Sequence, residues 1–526
     1  MKKILALLLA LTMVFALCAC GNSTPAAAPA ADSSAAPAAD SAEAPAEAPA
    51  APARTDLKVQ INSEPSTLDI QQDNSSARTI VTQNLYANLL SYDADGNIVG
   101  ELADSWTHND DLTEWTITLK DGLKFSDGSD LTVEDVVFTM QRGIDLAFGA
   151  DYATIVSCEA ISDKEVKYVL NAPNALFERQ LAADTWCIMS KAYIEGGADL
   201  SKEAAVTSGC YYLDQWNIES DMVLKANPYY VGGEPAIKEV DLVIITDANT
   251  ALVAFESGQV DYIFGKSTLT ASEVETISTF DNVQFIPSAD PTYVIMSLNF
   301  QHEAFSDARV RKAIDMAINR DYVIAVLGGM GTPTGAVPVF PGLGGYVEGF
   351  GGAPEYNIEA AKALLAEAGY PDGFEFELMA PSTYLKEMES IQSQLKEIGL
   401  TVNIDEVADA STSIGRFKSG EYEAGMIAVS IVNGDITGLN ILYDPQGALQ
   451  LNHNDHNEYG AGILGSTSVI GADRDAMLKA SYEMMAEEIP YIGVYYRQAM
   501  KACSADLDFG LNNVVISFRL GTMSWK

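Results

Sequence analysis

The chain has 526 residues, with 31 Lys and Arg against 73 Asp and Glu and a formal net charge of −42. Such acidity disfavours nucleic acid and anionic lipid surfaces as partners, because both are held by clustered Lys and Arg. With 48% hydrophobic and 20% charged residues, the chain still has the apolar material of a large globular protein, and its length suggests about three domains.

Lys2 and Lys3 precede an apolar run of fourteen residues, Ile4 to Leu17, shorter than the ~20 residues that span a bilayer. Residues 1–19 therefore read as a secretory signal peptide. The run ends in Leu17-Cys18-Ala19-Cys20-Gly21-Asn22, which resembles a bacterial lipobox. Cys20 is the expected lipidated residue and new N-terminus; Cys18, preceded by the bulky Leu17, is the alternative. No later stretch approaches eighteen consecutive apolar residues, so the expected location is extracytoplasmic, at the outer face of the bacterial cell membrane, through lipid alone.

Residues 20–53 form an expected tether: from Gly21 to Ala53 there are 16 Ala and 6 Pro among 33 residues, with no aromatic, Lys or Arg. Recurrent Pro favours extended segments of ~3.1 Å per residue, a reach of roughly 100 Å. Residues 54–526 keep 29 basic and 69 acidic residues, a net −40, so the charge belongs to the folded part. Cys158, Cys187, Cys210 and Cys503 show neither CxxC nor metal-finger spacing. They are expected to be buried free thiols, with three pairings left open.

Along the folded part, strand-like and helix-like patterns alternate. Trp115, Ile117 and Leu119 alternate as a strand, and Thr132-Val133-Glu134-Asp135 resembles a capping box for a helix ending near Gly143. Asp307 is a plausible N-cap for a helix carrying Val310, Ala313, Ile314, Ala317 and Ile318 on one face. Asn357 precedes a helix that Gly369 and Pro371 stop, followed by strand patterns at Phe374/Phe376/Leu378 and Leu400/Val402/Ile404. No repeat of 20 to 50 residues is visible, and the sum is a mixed α/β protein.

Concentrated reactive chemistry is scarce. His302-Glu303 lacks the second histidine of HExxH, and no GxSxG elbow occurs. Gly265-Lys266-Ser267 imitates the end of a phosphate loop, but Val260 stands where its first glycine belongs. The Gly-rich residues 328–352 read as a long structured loop. His453, Asp455 and His456 carry metal-ligand chemistry, but Asn452, Asn454 and Asn457 around them also suit a polar loop. No catalytic residue, metal or cofactor is assigned, and the chain is not expected to be an enzyme.

Ordered local patterns cover nearly all of residues 56–526. They include Glu64-Pro65-Ser66-Thr67-Leu68-Asp69, Asn84-Leu85-Tyr86-Ala87-Asn88-Leu89-Leu90 and Leu102-Ala103-Asp104-Ser105-Trp106. Leu119-Lys120-Asp121-Gly122-Leu123-Lys124-Phe125-Ser126-Asp127-Gly128 follows, then Asn227-Pro228-Tyr229-Tyr230, Ser257-Gly258-Gln259-Val260-Asp261 and Phe305-Ser306-Asp307-Ala308-Arg309-Val310-Arg311. This set resembles the bacterial extracellular solute-binding proteins of family 5, the substrate-binding lipoproteins of peptide/nickel-type ABC importers. Within it, Trp106, Trp115 and Phe125 are expected in the core, and Arg309 and Arg311 are expected to pair with acids.

The resemblance implies an α/β, two-lobed periplasmic-binding-protein-like (type II) fold with an extra domain inserted in lobe one. Lobe one would comprise residues 54–88, 185–290 and 490–526, the extra domain 89–184, and lobe two 291–489. The implied function is capture of an extracellular oligopeptide or similar small solute by hinge closure, with delivery to ABC permease subunits by a monomer. A sensory or chaperone-like peptide binder and a surface-anchored hydrolase are the rivals.

Peptide-binding members hold the ligand's α-ammonium with an aspartate after a strand of lobe two, and Asn433-Gly434-Asp435 occupies that place. The implied ligand-binding residues are Asp435, Gly434, Asn433 and Val432, with Tyr293 at the crossing into lobe two. Val432 stands where the family often has Trp. No arginine lies between Arg320 and Arg416, which argues against a carboxylate clamp in the loop near Ser382 to Tyr384.

Overall fold

Two long strands organise the computed structural model, which describes residues 54–73, 75–264, 269–431, 434–444, 451–454, 457–511 and 518–526. The signal and tether, including Cys18 and Cys20, lie outside the described residues, as do Gly265, Lys266, Ser267, Val432, Asn433, Asp455 and His456. Among the described residues no helix is long and apolar enough to cross a membrane.

The long strands, Val283–Leu298 and Ile492–Ser504, lie antiparallel at the centre of an eleven-stranded sheet. Ile492–Ser504 leads on one side to Tyr262–Ile263, then to Asp56–Ile61, Glu239–Ile244, Asp221–Ala226 and Tyr211–Asn217. Val283–Leu298 leads on the other to Ala424–Ser430, Glu375–Pro381 and Thr401–Val407. Each half of the sheet carries its own core, which makes the protein two-lobed. Leu57, Val59, Ile61 and Leu242 anchor one lobe, and Met296, Leu298, Ile314 and Leu378 the other.

Where the long strands pass from lobe to lobe, their ladder breaks. Ala289 pairs with Gln498 but Tyr293 pairs with Tyr496, so four steps on one strand answer two on the other. A bulge of this kind leaves residues unpaired and bends the strands. In lobe two the period of two sends Val294 and Met296 to one core and Tyr293 and Ile295 to a second on the opposite face.

A separate antiparallel sheet, Ala103–His108, Glu114–Leu119, Glu165–Leu170 and Ile155–Ala160 in spatial order, lies in sequence between two strands of the first lobe. Trp115, Ile117, Phe125, Tyr168 and Trp186 fill its core. Trp106 is half-buried against this core and donates from Nε1 to Glu178 Oε1 at 2.9 Å.

The helix signals act as capping chemistry predicts. Thr132 N donates to Asp135 Oδ2 at 2.9 Å, and that helix runs Val133–Asp145, two residues past Gly143. Asp307 caps Ala308–Ala317 through Arg309 N at 2.8 Å, and Asn357 caps Ile358–Glu367 through Ala360 N at 3.0 Å. Arg309 pairs with Asp307 at 2.6 Å.

Arg311 corrects the expectation of an acidic partner. It is buried, and its guanidinium donates to the carbonyls of Phe305, Ser306 and Glu488 and lies 4.0 Å over Phe300. Glu488 ends the helix Gly471–Glu488, where free carbonyls and the helix dipole favour a cation. All four cysteines of the folded part are free and buried. Burial pushes the Cys158 and Cys210 thiols up to about 12 and Cys503 to about 11, which leaves them little thiolate character.

Candidate ligand-binding site

The edge of lobe two that faces the crossing is built where three strands end. Ala424–Ser430 ends with Ser430 opposite Thr292, and their hydroxyls lie 3.1 Å apart. The chain then reaches Gly434, at a φ of 57° that suits glycine, and Asp435, which caps the short helix Ile436–Leu439. Asp435 Oδ1 accepts from Thr437 N at 3.1 Å and Thr437 Oγ1 at 2.9 Å.

Asp435 is fully buried, and two arginines approach its carboxylate. Arg474, from the helix Gly471–Glu488, donates from Nη2 to both oxygens at 2.8 and 2.9 Å. Arg179, from the helix Phe177–Leu181, brings Nε to 3.8 Å of Oδ2 and donates from Nη1 to Gly434 O at 3.3 Å. One carboxylate thus faces two guanidiniums, a local net positive charge inside a strongly acidic chain. An ammonium arriving here meets oxygens already engaged by Arg474 and Thr437.

The Gly-rich stretch clamps this site. Gly344 N donates to Gly434 O at 2.8 Å, and Ile436 N donates to Gly344 O at 2.9 Å, a parallel bridge between Gly344 and Asp435. The same stretch walls a cavity of about 530 Å³ at the crossing, lined by Pro287, Thr334, Phe340, Tyr346, Tyr496 and Arg497 among others. This volume falls in the range of small-molecule sites, ~300–1,000 Å³. Phe340 meets the Tyr496 ring edge-on at 4.8 Å.

The buried hydroxyls of Thr334 and Tyr496 lack a partner at hydrogen-bond geometry. Burial pushes the Tyr496 phenol well above its usual range, opposed by the nearby Thr334 hydroxyl.

Tyr293 stands behind this wall. Its ring is fully buried 5.5 Å from that of Tyr496, and its hydroxyl donates to Gly335 O at 2.8 Å. Of these two tyrosines, Tyr496 is the one that lines the cavity.

Sequence reasoning looked for a cation within the loop Ser382–Tyr384 and found none. The structure brings one from another strand: Arg497 lies beside Tyr384, opposing the upward push that burial gives the Tyr384 phenol. Glu387 follows in the same segment; burial raises its pKa, Tyr495 donates to its Oε1 at 2.9 Å, and its Oε2 has no partner. The available signal was a lone charge ending the apolar run from Ile492 to Tyr496.

A second, polar cavity of about 330 Å³ lies between residues 154–180 and 437–467, and includes Arg179 and Asn440. His453 donates from Nε2 to Phe417 O at 2.7 Å. Among the described residues no group of three His, Cys, Asp or Glu is placed to hold a metal ion.

A sheet shared by two lobes, two strands crossing between them and a cavity at the crossing define a two-lobed α/β fold of the periplasmic-binding-protein kind. Residues 97–448 match the bacterial extracellular solute-binding proteins, family 5 Middle, and the chain belongs to that family.

Among its relatives is a glutathione-binding protein, GsiB of Salmonella paratyphi A, 29% identical over 390 residues, or 71% of this chain and 74% of the relative. The periplasmic murein tripeptide-binding protein MppA, in its unliganded open form, shares the fold with a TM-score of 0.80 at 20% identity, over 90% of this chain and 97% of MppA. The oligopeptide-binding protein AppA of Bacillus subtilis, in complex with a nonapeptide, gives a TM-score of 0.62 at 23% identity over 90% and 100%. Family members bind small solutes or peptides for ABC permeases and are not enzymes.

Proposed function

We propose that the chain is a monomeric receptor, tethered to the outer face of the cell membrane through lipidated Cys20, that captures an oligopeptide or similar small solute and delivers it to an ABC permease. Lobe one is drawn from residues 54–88, 185–290 and 490–526, the extra domain from 89–184, and lobe two from 291–489. The observation that carries this reading is the broken ladder where the two long strands pass between lobes, beside a cavity of small-molecule size. Bending at that point lets the lobes part to admit a ligand and close to exclude water, which strengthens each polar contact inside. The names of the relatives, which bind glutathione, a murein tripeptide and a nonapeptide, support a peptide over an inorganic ligand.

In this reading Asp435 and Gly434 form the end of the site that receives the ligand's ammonium, with Asn433 and Val432 alongside. Asp435 becomes available to an ammonium once Arg179, 3.8 Å away, and Arg474, which donates to both carboxylate oxygens, give way as ligand enters. Tyr293 acts indirectly, by backing Tyr496.

Native mass spectrometry of protein purified without denaturation tests the proposal. The expected spectrum contains a species heavier than the apoprotein by the mass of a peptide of a few residues. Apoprotein alone, together with no calorimetric response to a mixed peptide pool, would refute it.

A further inference from the structure

The helix Phe177–Leu181 buries Phe177 and Leu181 in the core of the separate four-stranded sheet. These two lie one turn apart on one face, so Arg179, midway between them, points away from that core. Across the seam, Asp435 caps Ile436–Leu439, whose two end residues belong to a core of lobe two. Arg179 and Asp435 are thus held by different cores, and their approach joins the extra domain to lobe two.

Two further contacts lie along the same seam. Ala175 N donates to Thr467 O at 2.7 Å. Gly96, in the hairpin of Leu90–Tyr92 and Ile98–Gly100, lies against Gly342, whose carbonyl oxygen is 3.5 Å from where a Cβ would stand. Parting the lobes at this seam breaks these contacts together with those of Arg179.

Within the seam, Arg179 holds the carboxylate loosely. Its Nε stands 3.8 Å from Asp435 Oδ2, beyond hydrogen-bond length, while Nη1 bonds to Gly434 O at 3.3 Å. The guanidinium lies 5.8 Å over the ring of Tyr92, a buried residue of the hairpin. The side chain is 18% exposed and lines the 330 Å³ cavity, so it has water and space to move into. A guanidinium and an ammonium are both cations that only donate, so they compete for one carboxylate. An ammonium that bonds directly to Asp435 displaces an arginine that reaches it by charge alone.

We infer that Arg179 is a latch: it stands in for the ligand's ammonium beside Asp435 and ties the extra domain to lobe two until a ligand displaces it. What displaces the latch rests on the peptide-receptor reading above; the latch itself is a contact within the chain. Release of Arg179 frees Gly434 as well as Asp435, so arrival of the ammonium is coupled to the seam between the extra domain and lobe two.

The test uses the mature full-length chain, stripped of ligand and refolded, as wild type, Arg179→Gln and Arg179→Lys, with thermal unfolding as a check on folding. Hydrogen-exchange mass spectrometry reads the seam. Arg179→Gln is expected to exchange at least about threefold faster in residues 171–181 and 434–444 and not elsewhere, with Arg179→Lys in between. Calorimetry then compares a pool of tri- to pentapeptides with free N-termini against the same pool N-acetylated. Arg179→Gln is expected to bind the free-amine pool about threefold more tightly than wild type does, with no gain for the acetylated pool. Unchanged exchange in both segments, exchange raised throughout the chain, or an equal gain for both pools overturns the inference and leaves the peptide receptor standing. Binding of neither pool by any of the three proteins overturns the receptor reading, and the exchange pattern alone then decides the latch.

Discussion

Replacing Asp435 separates its structural role from its proposed role toward ligand. Asp435→Ala removes the carboxylate that accepts from Arg474 at 2.8 and 2.9 Å and caps Ile436–Leu439 through Thr437. Leaving a buried charge without its partner costs about 3–5 kcal/mol when that charge has no route to water. Here the Arg474 and Arg179 side chains are 15% and 18% exposed, so both can turn toward solvent. The expected loss is therefore about 2–3 kcal/mol, of which the cap accounts for about 1. For a lobe of this size that lowers the unfolding midpoint by roughly 5–10 °C, readable by differential scanning calorimetry.

Two further variants divide the effect. Asp435→Asn keeps hydrogen-bonding capacity without the charge and should fall between wild type and Ala. Adding Arg474→Met to Asp435→Ala should recover part of the loss, because the two residues share one interaction. A midpoint shift below 2 °C for Asp435→Ala, or strict additivity in the double variant, would show that the buried triad does not hold lobe two together.

Gly344→Ala should weaken both stability and binding, because its Cβ would collide with Asp435 Oδ2 and lie 2.8 Å from Arg179 Cζ; unchanged calorimetric affinity and midpoint would clear the loop of any role. Lys501 is buried, and burial lowers its pKa to about 8. Between pH 8 and about 10.5 the unfolded chain keeps that proton while the folded one does not, so stability attributable to this group rises with pH, by at most about 1.4 kcal/mol per unit. Urea unfolding at pH 7.5, 9 and 10 should therefore show wild type gaining on Lys501→Met, and a constant difference refutes the assignment. Cys20→Ala should abolish lipid labelling and leave the precursor unprocessed; labelling that persists points to Cys18.

What the sequence made legible was local. The capping pairs at Thr132 and Asp135, at Asp307 and at Asn357 lie within three or four residues of one another, and each appears where the pattern put it. The same holds for the buried alternation of Trp115, Ile117 and Leu119. The surroundings of Asp435 were not legible, because its cations come from far along the chain. Arg474 is 39 residues away, and Arg179 reaches Gly434 across 255. No spacing rule links those positions. Arg311 misled for a related reason: an acid-rich chain suggests an acidic partner, but the nearest acceptors are carbonyls at the end of a helix from another part of lobe two. The cation beside Tyr384 was sought in its own loop and came instead from the strand Ile492–Ser504.

The backbone around the cavity ties the site to the crossing. The short strand Gly331–Pro333 pairs with Tyr495 to Arg497, on the long strand that passes between lobes. From there the chain continues through Thr334, Val339 and Phe340, which line the cavity, to Gly344, bridged to Asp435. One uninterrupted segment therefore touches the crossing strand, the cavity wall and the buried carboxylate. Any change in the angle between lobes must move Arg179 relative to Asp435 or strain this segment, since Gly344 holds Gly434 and Ile436 by two backbone bonds. A ligand that fills the cavity presses on Phe340 and Tyr496, and so on the strand where the ladder is already broken. In the proposed receptor, contiguous backbone couples binding to lobe angle, which makes residues 342–344, outside the cavity lining, the place where a substitution should change the affinity of a ligand it does not touch.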